Sequence, residues 1–454
     1  MSKYKSGLLF SLIFVVIIPI VYFMAGCGTV VKVKGEDNLI EYASMWNAGE
    51  AQAEYLRQMA AGFEKETGIG VKLIFSDRDV LTKIKSRLLM GDPPDLVEQE
   101  FNELSSLVTS GTLEPVDLKE MFYNEKGPEG QERLIDVFGE KFLGFYEEQG
   151  KLYLFPYEFV TSGFFYDKSL FSTYGLKAPE SWEGFIRNNE ILADNGINPI
   201  ALDGNIIWYN AYYYCWAVER ILGPEALVKA AKDPTGAVWE EPGYLKAAQM
   251  VYELGKAGKN HFQEGYEKCE WPTAQVEWAQ GKHGSLLCST WIPNETQNYA
   301  GADFEYGFYP FPRVEGGEGR VSDVEVGFIG CAIPKDSKKI GQAKAFLRFM
   351  TKEENARKFI AITNNISART DLPYPQALAD VREYLGNARR LYKPYGALWA
   401  EFPAWSSSVF VPLDNKLVYG KLTPGDFISQ MKKESTLFWS QMEDKKQQTE
   451  EKTP

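Results

Sequence analysis

The stretch GKLYLFPYEFVTSGFFYDKSL, residues 150–170, divides the chain. It is rich in aromatic and β-branched residues, is interrupted at Pro156 and Gly163, and closes on Asp167-Lys168, so it predicts two short extended segments. A series of strand-then-helix patterns precedes it, and a second series follows. Against a prior of about 150 residues per domain, 454 residues are too many for one core. The stretch therefore reads as a crossover between two α/β lobes.

In the first series, NLIEYASMWN predicts a strand, and the helix after it carries Leu56, Ala60 and Phe63 on one face before Gly68 stops it. VKLIF, a helix over residues 80–90 with Ile84 and Leu88 on one side, and DLVEQE repeat the pattern. Such alternation implies a doubly wound sheet with ligands held past the carboxyl ends of its strands. The residues there are Trp46 and Asn47, Asp77, and Glu100. Beyond the crossover, Ser181 is placed to cap a helix, Trp208 opens an aromatic-rich helix through residues 212–214, and Trp291 follows a strand at residues 285–288. VEVGFIGCAIPK predicts a return to the first lobe. Residues 351–354 then read as a capping box, and Thr423-Pro424 starts the last helix.

The N-terminus has Lys3 and Lys5, an apolar run from Gly7 to Phe23, and Met24-Ala25-Gly26-Cys27. These are the parts of a secretory signal in order. The run is short for a membrane span, which needs about 20 apolar residues. Residues 27–38 suit a tether, and residues 443–454 are polar enough to predict a disordered tail. The formal charge of −13 becomes −15 once Lys3 and Lys5 leave with the signal, which argues against a nucleic-acid partner. Cys215, Cys269, Cys288 and Cys331 form no CxxC pair, so neither a zinc site nor a disulfide framework is indicated, and buried thiols are expected.

No phosphate loop, dinucleotide fingerprint or serine elbow is present, and His261 and His283 are isolated. No catalytic set, metal ligand or cofactor is expected. What recurs is Trp or Tyr beside Asp, Glu or Asn: Trp46-Asn47, Tyr157-Glu158, Trp208-Tyr209-Asn210, and Trp291 with Asn294. Aromatic faces stack on the CH faces of a pyranose, while carboxylates and amides accept its hydroxyl hydrogens. Tyr212 to Tyr214, inside a helix, are expected in the core, whereas Trp46, Trp208 and Trp291 are expected to line a wet cleft. A secreted carbohydrate-active hydrolase would display the same surface.

The segments WNAGEAQAEYLRQMAAGFEKETGIGVKL, GDPPDLVEQEFNELSSL, the crossover, AQVEWAQGKHGSLLCSTW, and IPKDSKKIGQAKAFLRFMTKEENARKF with ISART occur in this order. The whole resembles the family 1 extracellular solute-binding proteins, which feed ABC importers. The resemblance implies an α/β, two-lobed periplasmic-binding-protein-like fold of type II, each lobe a mixed sheet flanked by helices, joined by a multi-strand hinge. It further implies lobe 1 at 39–162 and 327–366, lobe 2 at 163–326 and 367–442, and a lipid on Cys27 holding a monomer at the outer face of the cell membrane. Trp46, Glu100, Glu158 and Trp291 match the family's cleft residues, with Glu158 and Trp291 expected to face the wet cleft from opposite sides, and Arg369, which ends its Ala-Arg motif, is expected to contact the ligand. The expected ligand is a mono- or oligosaccharide delivered to permease subunits. The same fold with a peptide, polyamine or anion stays open as an alternative.

Overall fold

The computed structural model describes residues 38–255 and 259–450, with side chains to residue 447. The signal at 1–26 and Cys27, with nearly all of the tether, lie outside the described residues. Strand β1 (Leu39–Ser44) pairs in parallel with β2 (Gly70–Phe75) and β3 (Leu96–Glu100). Between them, α1 (Ala51–Thr67) buries Tyr55, Leu56, Met59 and Phe63, and ends where Gly68 turns left-handed. α2 (Val80–Leu89) buries Val80 and Ile84, and α3 (Phe101–Thr109) follows β3 without a loop.

Two sheets result. The first has the order β2-β1-β3-β10-β4, with β10 (Gly327–Ala332) antiparallel to both β3 and β4 (Phe155–Val160). The second has the order β6-β7-β5-β8. Its strands are β5 (Ser162–Asp167), β6 (Asn198–Ala201), β7 (His283–Ser289) and β8 (Tyr306–Tyr309), with β6 and β7 parallel and β5 antiparallel to β7 and β8. A small third sheet pairs β9 (Asp323–Glu325) with β11 (Arg390–Tyr392). Both main sheets are thus mixed, as the resemblance implied.

The crossover is located more finely than the sequence placed it. The two segments part at Thr161, not at Pro156 or Gly163. Pro156 sits inside β4, the edge strand of the first sheet, where a missing N–H costs least. Gly163 is inside β5, and a Cβ there would come within 2.9 Å of the Tyr309 carbonyl oxygen. Thr161 is braced on three sides. It accepts from the Thr290 N–H (3.1 Å), its N–H meets Thr290 Oγ1 (3.4 Å), and its hydroxyl donates to the Glu325 carbonyl (2.6 Å). Later the chain runs beside β4 to Ala368 and then meets the helix Leu134–Phe138 at Thr370. Phe159 N–H donates to Ile366 O, Ala368 N–H to Tyr157 O, and Thr370 N–H to Val137 O.

Ser181 accepts from Gly184 N–H, and Thr423 from Asp426 N–H, as caps should. The capping box at residues 351–354 does not form. Thr351 Oγ1 donates instead to Leu347 O of its own helix, Ile340–Thr351, and Glu353–Thr363 starts without a side-chain cap. Tyr212, Tyr213 and Tyr214 are buried in the helix Ile207–Leu222. Cys215, Cys288 and Cys331 are buried free thiols, and Cys269 is half-buried. The last helix, Pro424–Glu450, continues past residue 443, where the polar composition predicts a tail. Residues 441–447 are solvent-exposed along it.

Candidate functional site

Loops at the ends of β1 and β2 build one wall of the site. Trp46 is not an open stacking face there: it is 5% exposed. Its indole N–H is shared between Glu98 Oε1 (3.0 Å) and the Tyr157 hydroxyl (2.7 Å), and Tyr157 in turn donates to Glu98. The Arg78 guanidinium lies 4.6 Å from the centre of the Trp46 ring. Glu50 holds that guanidinium in a fork at 2.8 and 3.0 Å, and Arg78 also donates to Met45 O. Beside it, Asn47 donates to Asp77 Oδ1 (3.0 Å), and Asp77 adopts a left-handed φ of 59°. Both are exposed.

The floor is acidic. Glu158, on β4, is 1% exposed, so the expectation of a wet side chain is corrected. Oε1 accepts from Asn365 (2.7 Å), while Oε2 has no protein partner. Burial pushes this carboxyl up to about 8, with Glu98 adding to the rise and Asn365 and Arg78 opposing it. Glu98 is likewise raised by burial, against the pull of its donors. Glu100, which ends β3, is pushed to about 8 by burial and then by Glu103 and Glu325. Glu325 is pushed to about 7 by burial, against the Ser162 hydroxyl bonded to it at 2.6 Å.

The second sheet supplies the facing wall. Trp208, half-buried at the start of its helix, packs edge-on against Trp399 (4.6 Å) and near Tyr395 (6.2 Å). Tyr395 stacks on Tyr212 (4.7 Å), and its N–H meets Glu325 Oε2 (3.4 Å), which connects this aromatic cluster to β9. Trp291, also half-buried, precedes the turn Ile292–Thr296, which carries Glu295. Burial pushes Glu295 to about 7; Gln275, bonded at 2.8 Å, and Arg78 on the opposite wall draw it down. Asn364 meets Gln297 at 3.3 Å.

The predicted residues therefore fall into separate groups. Trp46, Asn47 and Asp77 share the Arg78 corner, with Glu158 beneath it. Trp208 and Trp291 belong to the facing side, while Glu100 ends β3 of the first sheet. Arg369 stands apart: it is 2% exposed and bonded to Asp371 (2.6 and 3.0 Å), Glu129 (2.7 Å) and Thr351 O (2.8 Å). Its donors are committed within the first lobe, so it is corrected to a structural clasp. Sequence reasoning missed Arg78, Glu98, Glu295, Glu325 and Tyr395. One signal was available: Glu98 and Glu100, two apart on one strand, share a face. Neither histidine joins the site. His261 lies by Asn189 and His283 by Glu277.

Comparison with known proteins finds the same family and the same fold. Residues 47–357 match the family described as bacterial extracellular solute-binding protein. The chain is 25% identical over 358 residues to the multiple sugar-binding protein of Streptococcus mutans, covering 76% of each. It is 21% identical over 378 residues to the melibiose/raffinose/stachyose-binding protein of Bacillus subtilis, covering 77% of this chain and 80% of that one. Among solved structures, the solute-binding protein RafE with raffinose superposes with a TM-score of 0.69 at 20% identity, over 88% of this chain and 98% of RafE. A Bacillus licheniformis sugar transporter with stachyose gives 0.67 at 21%, over 87% and 98%.

Proposed function

Because the chain belongs to the bacterial extracellular solute-binding protein family, we propose that it captures a carbohydrate between its two lobes and delivers it to an ABC transporter. The observation that carries this reading is the pairing of acceptor-rich walls with aromatic faces across two sheets. Glu158 keeps a buried oxygen without a protein partner, and Trp208 and Trp291 keep part of their rings open. A neutral polyol satisfies such groups through its hydroxyls and covers the rings with its CH faces. The relatives whose names state a ligand bind sugars: multiple sugars in one case, melibiose, raffinose and stachyose in another. Those relatives are named as binding proteins, which supports binding over turnover as the role.

We read lobe 1 as 39–162 with 327 to about 370, following the hydrogen bonds that run beside β4 and on to the helix Leu134–Phe138, and lobe 2 as the remainder to 442. A ligand touching both lobes favours the closed form by the contacts it makes only there. Attraction between Arg78 and Glu295 acts in the same direction. The protein works as a monomer held at the outer membrane face by a lipid on Cys27. No helix among the described residues is long and apolar enough to cross a membrane. Cys27→Ser is expected to move the protein from the membrane fraction to the medium; retention in the membrane contradicts the lipid anchor.

The function is tested by a thermal-shift panel of mono- and oligosaccharides on the mature protein, followed by Trp291→Ala. Loss of one stacking face costs about 1–3 kcal/mol, so affinity for the stabilising sugar should fall by about tenfold or more. A panel without any shift contradicts the sugar assignment. A severe loss of ligand-free melting temperature with affinity intact makes Trp291 a core residue.

A further inference from the structure

Residues 393–401, which follow β11, touch both lobes. On the side of lobe 1, the Lys393 ammonium pairs with Glu148 and lies over the Phe101 ring (5.0 Å). Ala400 O accepts from the hydroxyls of Thr109 (3.2 Å) and Ser105 (3.5 Å), both on α3. On the side of lobe 2, Tyr395 stacks on Tyr212 (4.7 Å) and Trp399 meets Trp208 edge-on (4.6 Å). A Cβ at Gly396 would come within 2.9 Å of Leu227. The segment is thus fastened to lobe 1 at Lys393 and Ala400, and to lobe 2 by the residues between them.

Between those two fastenings the backbone is left-handed three times in succession, at Tyr395 (φ 54°, ψ 31°), Gly396 (φ 60°, ψ 32°) and Ala397 (φ 65°, ψ 10°). Glycine adopts this conformation freely. A residue with a Cβ does so at a disadvantage of about five- to thirtyfold, and as a single residue, not in a run. Such a run persists where its surroundings over-determine it. Here Gly396 N–H donates to Lys393 O (3.1 Å), Tyr395 N–H meets Glu325 Oε2 (3.4 Å), and the Tyr395 ring is seated on Tyr212. Glu325 and Tyr212 belong to lobe 2, whereas Lys393 and Ala400 are held by lobe 1. A rotation of one lobe against the other therefore has to be absorbed within residues 394–399. The lobes meet in this structure, since Asn364 of lobe 1 donates to Gln297 of lobe 2 (3.3 Å).

We propose that the left-handed turn Tyr395-Gly396-Ala397 is a strained coupling element that forms as the lobes come together and relaxes as they part, so that its strain holds sugar affinity below what the cleft contacts alone would give. The inference rests on the two-lobed capture of a carbohydrate given above. Strain present only in the binding-competent form lowers the population of that form, and apparent affinity falls in proportion.

Ala397→Gly tests it, because it removes the Cβ that makes this conformation costly and deletes no polar group. Affinities for melibiose, raffinose and stachyose are measured by calorimetry, and the ligand-free proteins are compared by small-angle scattering. For each sugar that binds wild type, Ala397→Gly should bind about fivefold more tightly, and without sugar it should have the smaller radius of gyration. Affinity compares two folded forms, so the greater freedom of glycine in the unfolded chain does not enter. Asn260→Gly is the control: Asn260 is an exposed lobe 2 residue outside the segment with a left-handed φ of 56°, and its replacement should leave both readings at wild type. Affinity of Ala397→Gly within twofold of wild type, an unchanged radius of gyration, or an equal gain in Asn260→Gly overturns the proposal. If wild type binds none of the three sugars or any other saccharide, the carbohydrate reading falls, and the ligand-free scattering still decides on the turn by itself.

Discussion

Trp46→Ala is expected to lower the unfolding free energy by about 3–5 kcal/mol, the range for truncating a large aromatic in a packed interior. The cause lies in what the indole holds together. Its N–H is a donor to the buried Glu98–Tyr157 pair, and its ring is the surface beneath Arg78. Alanine leaves Glu98 with one donor fewer and Arg78 without its platform. Sugar affinity should fall too, because Arg78 then loses its fixed position opposite Glu295. Urea unfolding of the ligand-free protein checks the first effect. A variant as stable as wild type that has lost only affinity would show that the ring is open to the ligand, as the sequence suggested, and not buried beneath Arg78.

Glu158→Gln should flatten the pH dependence of stability. The carboxyl is held at about 8 in the folded protein, against a usual value of 4.5. Between these limits the native state keeps a proton that the unfolded chain has released, so this group's stabilising contribution is complete below about pH 4.5 and is lost as the pH rises towards 8. The slope is about 1.4 kcal/mol per pH unit for one such group. Wild type should therefore lose stability from pH 5.5 to 7.5 more steeply than Glu158→Gln. The variant still slopes, since Glu100 and Asp414, each at about 8, and Glu325, at about 7, obey the same sign. The Gln carbonyl can still accept from Asn365, so a folding defect is not expected. Parallel stability curves for the two proteins would place Glu158 in water.

How far the sequence foretold this arrangement differs from element to element. Strand-then-helix alternation and Gly68 announced the first sheet, because period and termination are local properties. The crossover was legible as a place but not as a residue. Thr161 becomes the pivot through partners at Thr290 and Glu325, far along the chain. Trp46 was found as a site residue, yet its burial depends on Arg78 arriving from another loop, which no local pattern encodes. Arg369 shows the converse: its motif suggested a ligand contact, and Glu129 and Asp371 occupy its donors. Glu295 was hidden for a similar reason, since its importance comes from facing Arg78 across the lobes.

The central claim is capture of a saccharide by a protein that does not transform it, and calorimetric titration of the ligand-free mature protein tests it most directly. The account predicts a saturable, one-to-one isotherm for at least one oligosaccharide, with no continuing heat after saturation. Either no isotherm with any saccharide, or a sustained heat of turnover accompanied by release of reducing ends, would contradict it.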